Sequence, residues 1–85
     1  MLSEVYLSLG SNLGDRHKNI ISALRVFEEE SAGLEFSGLY ETVPEMFLGQ
    51  PPFLNVACCI WTQLDPFELL QKTQKIQSEI DVYGR

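Results

Sequence analysis

The feature that most constrains the fold is a ten-residue run, Phe53–Thr62, which is apolar on both of its alternating faces. Pro51 and Pro52 precede it, and prolines mark a loop rather than the interior of a strand. Successive side chains of a strand point to opposite faces of the sheet. One face would carry Leu54, Val56, Cys58 and Ile60, and the other Phe53, Asn55, Ala57, Cys59 and Trp61. Both faces are therefore expected to be at least partly covered.

The N-terminal third predicts a strand followed by a helix. Glu4–Leu9 alternates apolar with other residues, which is typical of a strand. The segment 10–12 (Gly-Ser-Asn) predicts a turn. Asp15 is then expected to cap a helix that runs to about Glu30 and repeats apolar residues at helical spacing.

A second strand and a second helix are predicted on either side of the central run. Leu34–Thr42 reads as a strand with a bulge at Gly38, where the alternation slips. Asp65, a proline after it and Glu68 together form a strong helix start. This helix is expected to end at Tyr83–Gly84.

The predicted order is therefore β-α-β-β-α within a single α+β domain covering residues 1–85. A right-handed crossover joins the first two strands, and the third strand is expected to lie between them. With both helices on one face, this is a ferredoxin-like two-layer sandwich that lacks its final strand. That strand would pair with strand one, so the Glu4–Leu9 edge is expected to be open and the chain to be truncated.

Composition excludes several classes of function. Twelve acidic and six basic side chains among 85 residues disfavour sequence-independent nucleic-acid binding, which requires clustered cations. No apolar run has the length of a membrane span, so no membrane association is expected. The adjacent Cys58 and Cys59 match no disulfide framework or metal-ligand spacing and are expected to be packing residues. Free thiols of this kind predict a cytoplasmic protein.

Phe53 and Asn55 form the clearest candidate binding pair. They lie two residues apart on a predicted strand and so should project from the same face. A ring offers a stacking surface, and an amide offers donors and an acceptor. The pair could read a flat, polar heterocycle such as a pterin, a purine or a flavin. The alternative is a core phenylalanine beside a turn-stabilising asparagine.

Several ordered segments resemble one family, the hydroxymethyl-dihydropterin pyrophosphokinases of folate synthesis. Tyr6–Arg16 resembles the family's N-terminal signature. Leu39–Pro44 and Gln50–Asn55 resemble its pterin-binding loop and strand. Leu64–Leu70, followed by Gln74 and Gly84-Arg85, is similar to its second helix. The resemblance implies transfer of pyrophosphate from ATP to 6-hydroxymethyl-dihydropterin with Mg2+.

The resemblance also implies the site residues. The expected pterin-binding residues are Gly10, Ser11, Asn12, Thr42, Val43, Pro44, Phe53 and Asn55. Gln74 and Arg85 are implied to contact the nucleotide, and Arg85 is also the implied catalytic residue. The family's metal ligands, a pair of aspartates, would follow Arg85, so no metal ligand is expected within these residues.

Two functions remain open from the sequence. The first is the N-terminal part of a pterin pyrophosphokinase that holds most of the pterin site and is inactive by itself. The alternative is a non-catalytic, ferredoxin-like binding or oligomerisation module that self-associates through the open edge of strand one.

Overall fold

The protein is an α+β structure with an antiparallel sheet and two helices. The computed structural model describes residues 1–43, 49, 51–80 and 83–84. Its elements are β1 (Ser3–Ser11), α1 (Arg16–Glu29), β2 (Gly33–Phe36), β3 (Tyr40–Thr42), β4 (Phe53–Thr62), α2 (Pro66–Glu79) and β5 (Tyr83–Gly84).

β4 lies at the centre of the sheet. The strand order is β2-β4-β1-β5, and β3 pairs with β4 next to β2. All of these pairings are antiparallel. Because β1 and β2 both run antiparallel to β4, they are parallel to each other, as the predicted crossover requires. The prediction that the Phe53–Thr62 strand separates the first two strands is confirmed.

Both helices pack against one face of the sheet, called here the helix face. α1 contributes Ile20, Leu24 and Phe27 to the core, and α2 contributes Ile76. They meet residues that alternate along β1 and β4, as the period of two demands. The sheet residues of this cluster are Leu9, Val56, Cys58 and Ile60. Burial of side chains of this size contributes about 1.5–3 kcal/mol each.

Both predicted helix starts are confirmed. The carboxylate of Asp15 accepts a hydrogen bond from the backbone N–H of Lys18 (3.1 Å). Asp65 accepts one from the N–H of Glu68 (2.8 Å), and the Glu68 carboxylate accepts one from the N–H of Asp65 (3.1 Å). This reciprocal pair is a capping box, which satisfies two backbone donors at the start of α2.

The predicted turn at residues 10–12 was wrong for its first two residues. Gly10 and Ser11 are the last residues of β1, where they pair with Asn55 and Leu54. β4 is long enough to keep its partner extended to this point, so tertiary pairing overrides the local turn preference.

The predicted strand Leu34–Thr42 is divided into β2 and β3. At the division, the Ser37 hydroxyl accepts the hydrogen bond of the Ala57 N–H (3.0 Å). The Ser37 N–H donates to the Ala57 carbonyl (2.8 Å). A side chain therefore replaces a backbone acceptor of the ladder at Ser37, one residue before the expected bulge at Gly38.

The predicted end of the second helix was wrong. α2 ends at Glu79, and Ile80 is already extended. Tyr83–Gly84 forms β5, which pairs with Leu9 and Gly10 of β1. The place that was predicted to lack a strand is thus taken in part by β5, and the β1 edge is not open along its whole length. Neither of the described helices is long and apolar enough to cross a membrane.

Candidate functional site

The second face of the sheet, called here the open face, lies opposite both helices. Tyr6, Asn55, Cys59 and Trp61 belong to this face by alternation with the core residues. Tyr6 is 75% exposed, whereas Asn55 is only 4% exposed. A polar amide buried on an otherwise accessible face requires hydrogen-bond partners, and these define the candidate site.

Asn55 is held by β3. Its Nδ2 donates to Oγ1 of Thr42 (2.8 Å) and makes longer contacts with the carbonyl oxygens of Phe53 (3.3 Å) and Tyr40 (3.4 Å). Its Oδ1 faces the opposite way, toward Gly10 of β1. The amide therefore has a fixed orientation, with its nitrogen toward β3 and its oxygen toward β1.

Gly10 makes room for this arrangement. A Cβ atom at Gly10 would lie 2.8 Å from Oδ1 of Asn55 and 3.3 Å from Cδ1 of Phe53. The first of these distances is too short for any side chain, so the absence of a Cβ allows the amide and the ring to approach the β1 backbone. Gly10 thus contributes by lacking a side chain and not by supplying a functional group.

Ser11 lies on the other side of the strand. Its side chain is fully buried, and its Oγ accepts a hydrogen bond from Nδ2 of Asn19 (3.1 Å). The same Nδ2 donates to the carbonyl oxygen of Leu13 (3.0 Å). Ser11 therefore ties the end of β1 to the first turn of α1, beneath the open face.

The structure brings four of the predicted pterin residues together: Gly10, Thr42, Phe53 and Asn55. Asn12 is half-buried directly after β1, and Val43 is exposed directly after β3. Pro44 lies outside the described residues. All eight assignments stay predictions.

The predicted nucleotide residues are not brought into this cluster. Gln74 is exposed on α2, and α2 packs on the helix face of the sheet. Arg85 lies outside the described residues.

Sequence reasoning did not single out Arg16, the first residue of α1. Its Nη1 forms a salt bridge with Oε1 of Glu41 (2.8 Å) and donates to the carbonyl oxygen of Pro52 (3.0 Å). The available signal was its place at the end of the N-terminal signature segment, directly after the helix cap. Periodicity does not reveal such a residue, because its partners are remote in sequence.

The two thiols are protonated at neutral pH and are not activated as nucleophiles. Burial raises the pKa of Cys58 to about 11. Burial also raises the pKa of Cys59, and the neighbouring Glu4 carboxylate adds to this effect. Both cysteines are free and buried, and Cys58 belongs to the core cluster, which agrees with the expectation that they are packing residues.

Comparison with known proteins now adds to this geometry. The profile of the 7,8-dihydro-6-hydroxymethylpterin-pyrophosphokinase family matches residues 6–83. The chain belongs to this family. The resemblance drawn from the sequence segments is thereby confirmed.

Relatives of this pyrophosphokinase family occur in bacteria and plants. A 2-amino-4-hydroxy-6-hydroxymethyldihydropteridine pyrophosphokinase of Bacillus subtilis is 42% identical over 77 residues, which cover 88% of this chain and 46% of the relative. One of Porphyromonas gingivalis is 43% identical, covering 89% and 52%. A folate synthesis bifunctional protein of Arabidopsis thaliana is 42% identical, covering 91% and 16%. The chain spans about half the length of these bacterial relatives.

The family implies ATP as co-substrate, and the resemblance of the sequence segments implies Mg2+ with it. Within residues 1–43, 49, 51–80 and 83–84, no three His, Cys, Asp or Glu side chains come together in a group that could hold a metal ion. Mg2+ requires several oxygen ligands in octahedral geometry. This part of the chain therefore does not fit the ion by itself.

Proposed function

We propose that this chain supplies the pterin site of a protein that transfers pyrophosphate from ATP to 6-hydroxymethyl-dihydropterin. The observation that carries this proposal is the buried Asn55 amide, fixed between Gly10 and Thr42 on the open face and adjacent to Phe53. Membership of the pyrophosphokinase family supports the same assignment.

The orientation of the amide suits the polar edge of a pterin. That edge presents ring and exocyclic N–H donors next to acceptor atoms, and an amide can pair with both kinds of group. Oδ1 of Asn55 accepts from a ligand N–H. One N–H of Nδ2 is committed to Thr42, whereas the other has only the contacts of 3.3 and 3.4 Å and can turn to a ligand acceptor. The backbone of Thr42 adds to the hydrogen-bonding groups that Asn55 offers to the pterin.

The remaining pterin residues enclose the ring. Phe53 stacks on the heterocycle, and offset stacking of two aromatic systems contributes about 0.5–1.5 kcal/mol beyond area burial. Gly10 and Asn12 form the floor, which Ser11 supports from the helix face through Asn19. Val43 lines the wall, and the family resemblance assigns Pro44 to the same pocket. A site of this kind positions the hydroxymethyl group for attack on a phosphorus atom, and transfer of this class depends mainly on positioning and charge neutralisation.

The family also suggests the finer features of the whole protein. Gln74 contacts the nucleotide, and the Arg85 guanidinium neutralises phosphate charge as the catalytic residue. ATP binds with Mg2+, and the metal ligands lie outside the described residues. The fold is ferredoxin-like with the order β-α-β-β-α followed by the short β5, in which β2 and β3 count as one interrupted strand. The free thiols support a cytoplasmic setting.

Self-association through β1 remains the second candidate property. β5 pairs only with Leu9 and Gly10 of β1. Among the described residues, the edge of β1 on the same side as β5 is therefore unpaired over residues 3–8. Unpaired edges of this kind are templates for pairing with another chain. Sedimentation at high concentration tests it, because a monomer at all concentrations would exclude it.

Titration with 6-hydroxymethylpterin tests the proposed function. Calorimetry is performed on the wild type, on Asn55→Ala and on Gln63→Ala, an exposed amide just after β4 that serves as the matched control. Parallel titrations contain Mg2+ and a non-hydrolysable ATP analogue. We expect Asn55→Ala to weaken binding at least tenfold, or about 1.4 kcal/mol, and Gln63→Ala to leave it unchanged. Equal affinity of all three proteins, or no binding under either condition, would contradict the proposal.

A further inference from the structure

We propose that Arg16 is a positioning residue that fixes β3 against β4 from the helix face and thereby sets the geometry of the pterin site. This inference rests on the proposed function for its ligand, but its structural part stands on the described contacts. Arg16 is the first residue of α1 and is half-buried.

One guanidinium nitrogen of Arg16 connects the end of β3 with the start of β4. Nη1 carries two N–H groups and contacts both Oε1 of Glu41 (2.8 Å) and the carbonyl oxygen of Pro52 (3.0 Å). Glu41 directly precedes Thr42, and Pro52 directly precedes Phe53. The two contacts of Arg16 therefore flank two residues of the proposed pterin site.

Strand alternation places Arg16 behind the site rather than in it. Glu41 pairs with Leu54, which packs against the helix-face core, whereas Thr42 pairs with Phe53. Neighbouring residues of a strand face opposite sides, so Glu41 and Thr42 project to the helix face and the open face respectively. Arg16 acts on the ligand only through these strands, which makes it a positioning residue and not a catalytic one.

β3 depends on such a contact because it has few others. It is three residues long, all of them are exposed, and it pairs with β4 at the edge of the sheet. Asn55 holds it from the open face through Tyr40 and Thr42. Arg16 holds it from the helix face through Glu41. Loss of Arg16 would leave the acceptor for the Asn55 amide on a strand that is secured from one side only.

The first turn of α1 makes a matching contact with β1. Asn19 donates to Ser11 at the end of β1, as Arg16 does to the residues at the ends of β3 and β4. One helical turn thus binds the three strand ends that carry Gly10, Thr42 and Phe53. This explains how a site assembled from separate strands keeps a single geometry.

The test compares Arg16→Met and Arg16→Lys with Arg25→Met, an exposed arginine of the same helix. The first readout is the affinity for 6-hydroxymethylpterin, with and without Mg2+ and a non-hydrolysable ATP analogue. We expect Arg16→Met to weaken binding about fivefold, or about 1 kcal/mol, Arg16→Lys to recover part of the loss, and Arg25→Met to have no effect. In a cycle with Glu41→Gln, the two losses should not add, since both variants remove the same contact.

The second readout is amide hydrogen exchange, which does not depend on any ligand. In Arg16→Met, exchange at residues 40–42 should rise at least threefold while residues 20–27 of α1 keep their rates. A proportional rise in both segments would show a general loss of stability and overturn the proposal. So would unchanged exchange at residues 40–42. If the wild type binds no pterin, the proposed function fails, and the exchange data alone decide the role of Arg16.

Discussion

Neighbouring residues of β4 lie in opposite surroundings. Val56 is fully excluded from solvent and belongs to the hydrophobic core beneath the helices. Asn55 is also buried, but on the open face and among polar partners from β3. Period-two alternation lets one strand supply both environments. Under the proposed function, the helix face would account for stability and the open face for recognition, and this division can be tested face by face.

The largest expected effect on stability is on the helix face. Phe27→Ala removes a fully buried ring from the core and should lower the free energy of unfolding by about 3–5 kcal/mol. Urea unfolding measures this loss, with Phe36→Ala, an exposed phenylalanine of β2, as the control. Phe27→Leu, with a smaller cost, keeps the measurement possible if the alanine variant does not fold. If Phe27→Leu reduced the free energy of pterin binding by more than it reduced the free energy of unfolding, the division between the two faces would be contradicted.

Gly10→Ala should have the largest effect on recognition. The new methyl group would collide with Oδ1 of Asn55, so the amide must rotate or β1 must shift. We expect at least a tenfold loss of pterin affinity and a stability loss of about 1–3 kcal/mol, as for other overpacked sites. Calorimetry and urea unfolding measure the two effects.

Gly38→Ala is the matched control for this substitution. A Cβ at Gly38 has no heavy atom within 4 Å, and its backbone needs no positive φ. Its effects should stay within about 0.5 kcal/mol, as for other surface changes. Equal effects at the two glycines would show that the approach of Asn55 to Gly10 is unimportant.

The helix caps should affect stability alone and by a smaller amount. Asp65→Ala removes the side-chain acceptor of the Glu68 N–H (2.8 Å), while the backbone N–H of residue 65 can still donate to Glu68, so we expect a loss of about 1 kcal/mol. Asp15→Ala removes a single bond to Lys18 and should cost less. Thermal unfolding ranks the two variants. A larger loss for Asp15→Ala would contradict the reading of the two caps.

Ionisation of Cys58 should change the stability of the protein only at alkaline pH. Its folded-state pKa of about 11 lies above the ordinary value of 9.0, so the folded protein holds this proton more tightly. The resulting stabilisation is complete below about pH 9 and is lost as the pH rises toward 11. The difference in unfolding free energy between the wild type and Cys58→Ala should therefore shrink over this range. A difference that is constant from pH 8 to 11 would contradict the burial of the thiol.

The parts of the fold that depend on local signals could be predicted from the sequence. The bounds of β4 follow from the two prolines and from alternation, and the start of α2 follows from its capping box. The end of α2 and the division at Ser37 could not be predicted, because they depend on pairing with β1 and with Ala57. Such tertiary contacts have no periodic signature in the chain.

The candidate site follows the same rule. The shared face of Phe53 and Asn55 was predictable, because it needs only the period of a strand. The position of Ser11 on the helix face could not be predicted, because residues 10–12 were expected to form a turn. Side chains in a turn do not alternate between the two faces of a sheet. The contacts of Arg16 could not be predicted from periodicity, because one of its partners, Pro52, lies 36 residues away.

Chemical-shift mapping by NMR tests the central claim most directly. The chain is titrated with 6-hydroxymethylpterin, in the presence and absence of Mg2+ and a non-hydrolysable ATP analogue, and every amide is followed. If the open face holds the pterin site, the largest shifts that depend on pterin should lie at Gly10, Thr42 and residues 53–55, while the core residues Phe27 and Ile76 of the helices change little. Pterin-dependent shifts centred on the helices, or none at saturating ligand, would contradict the account.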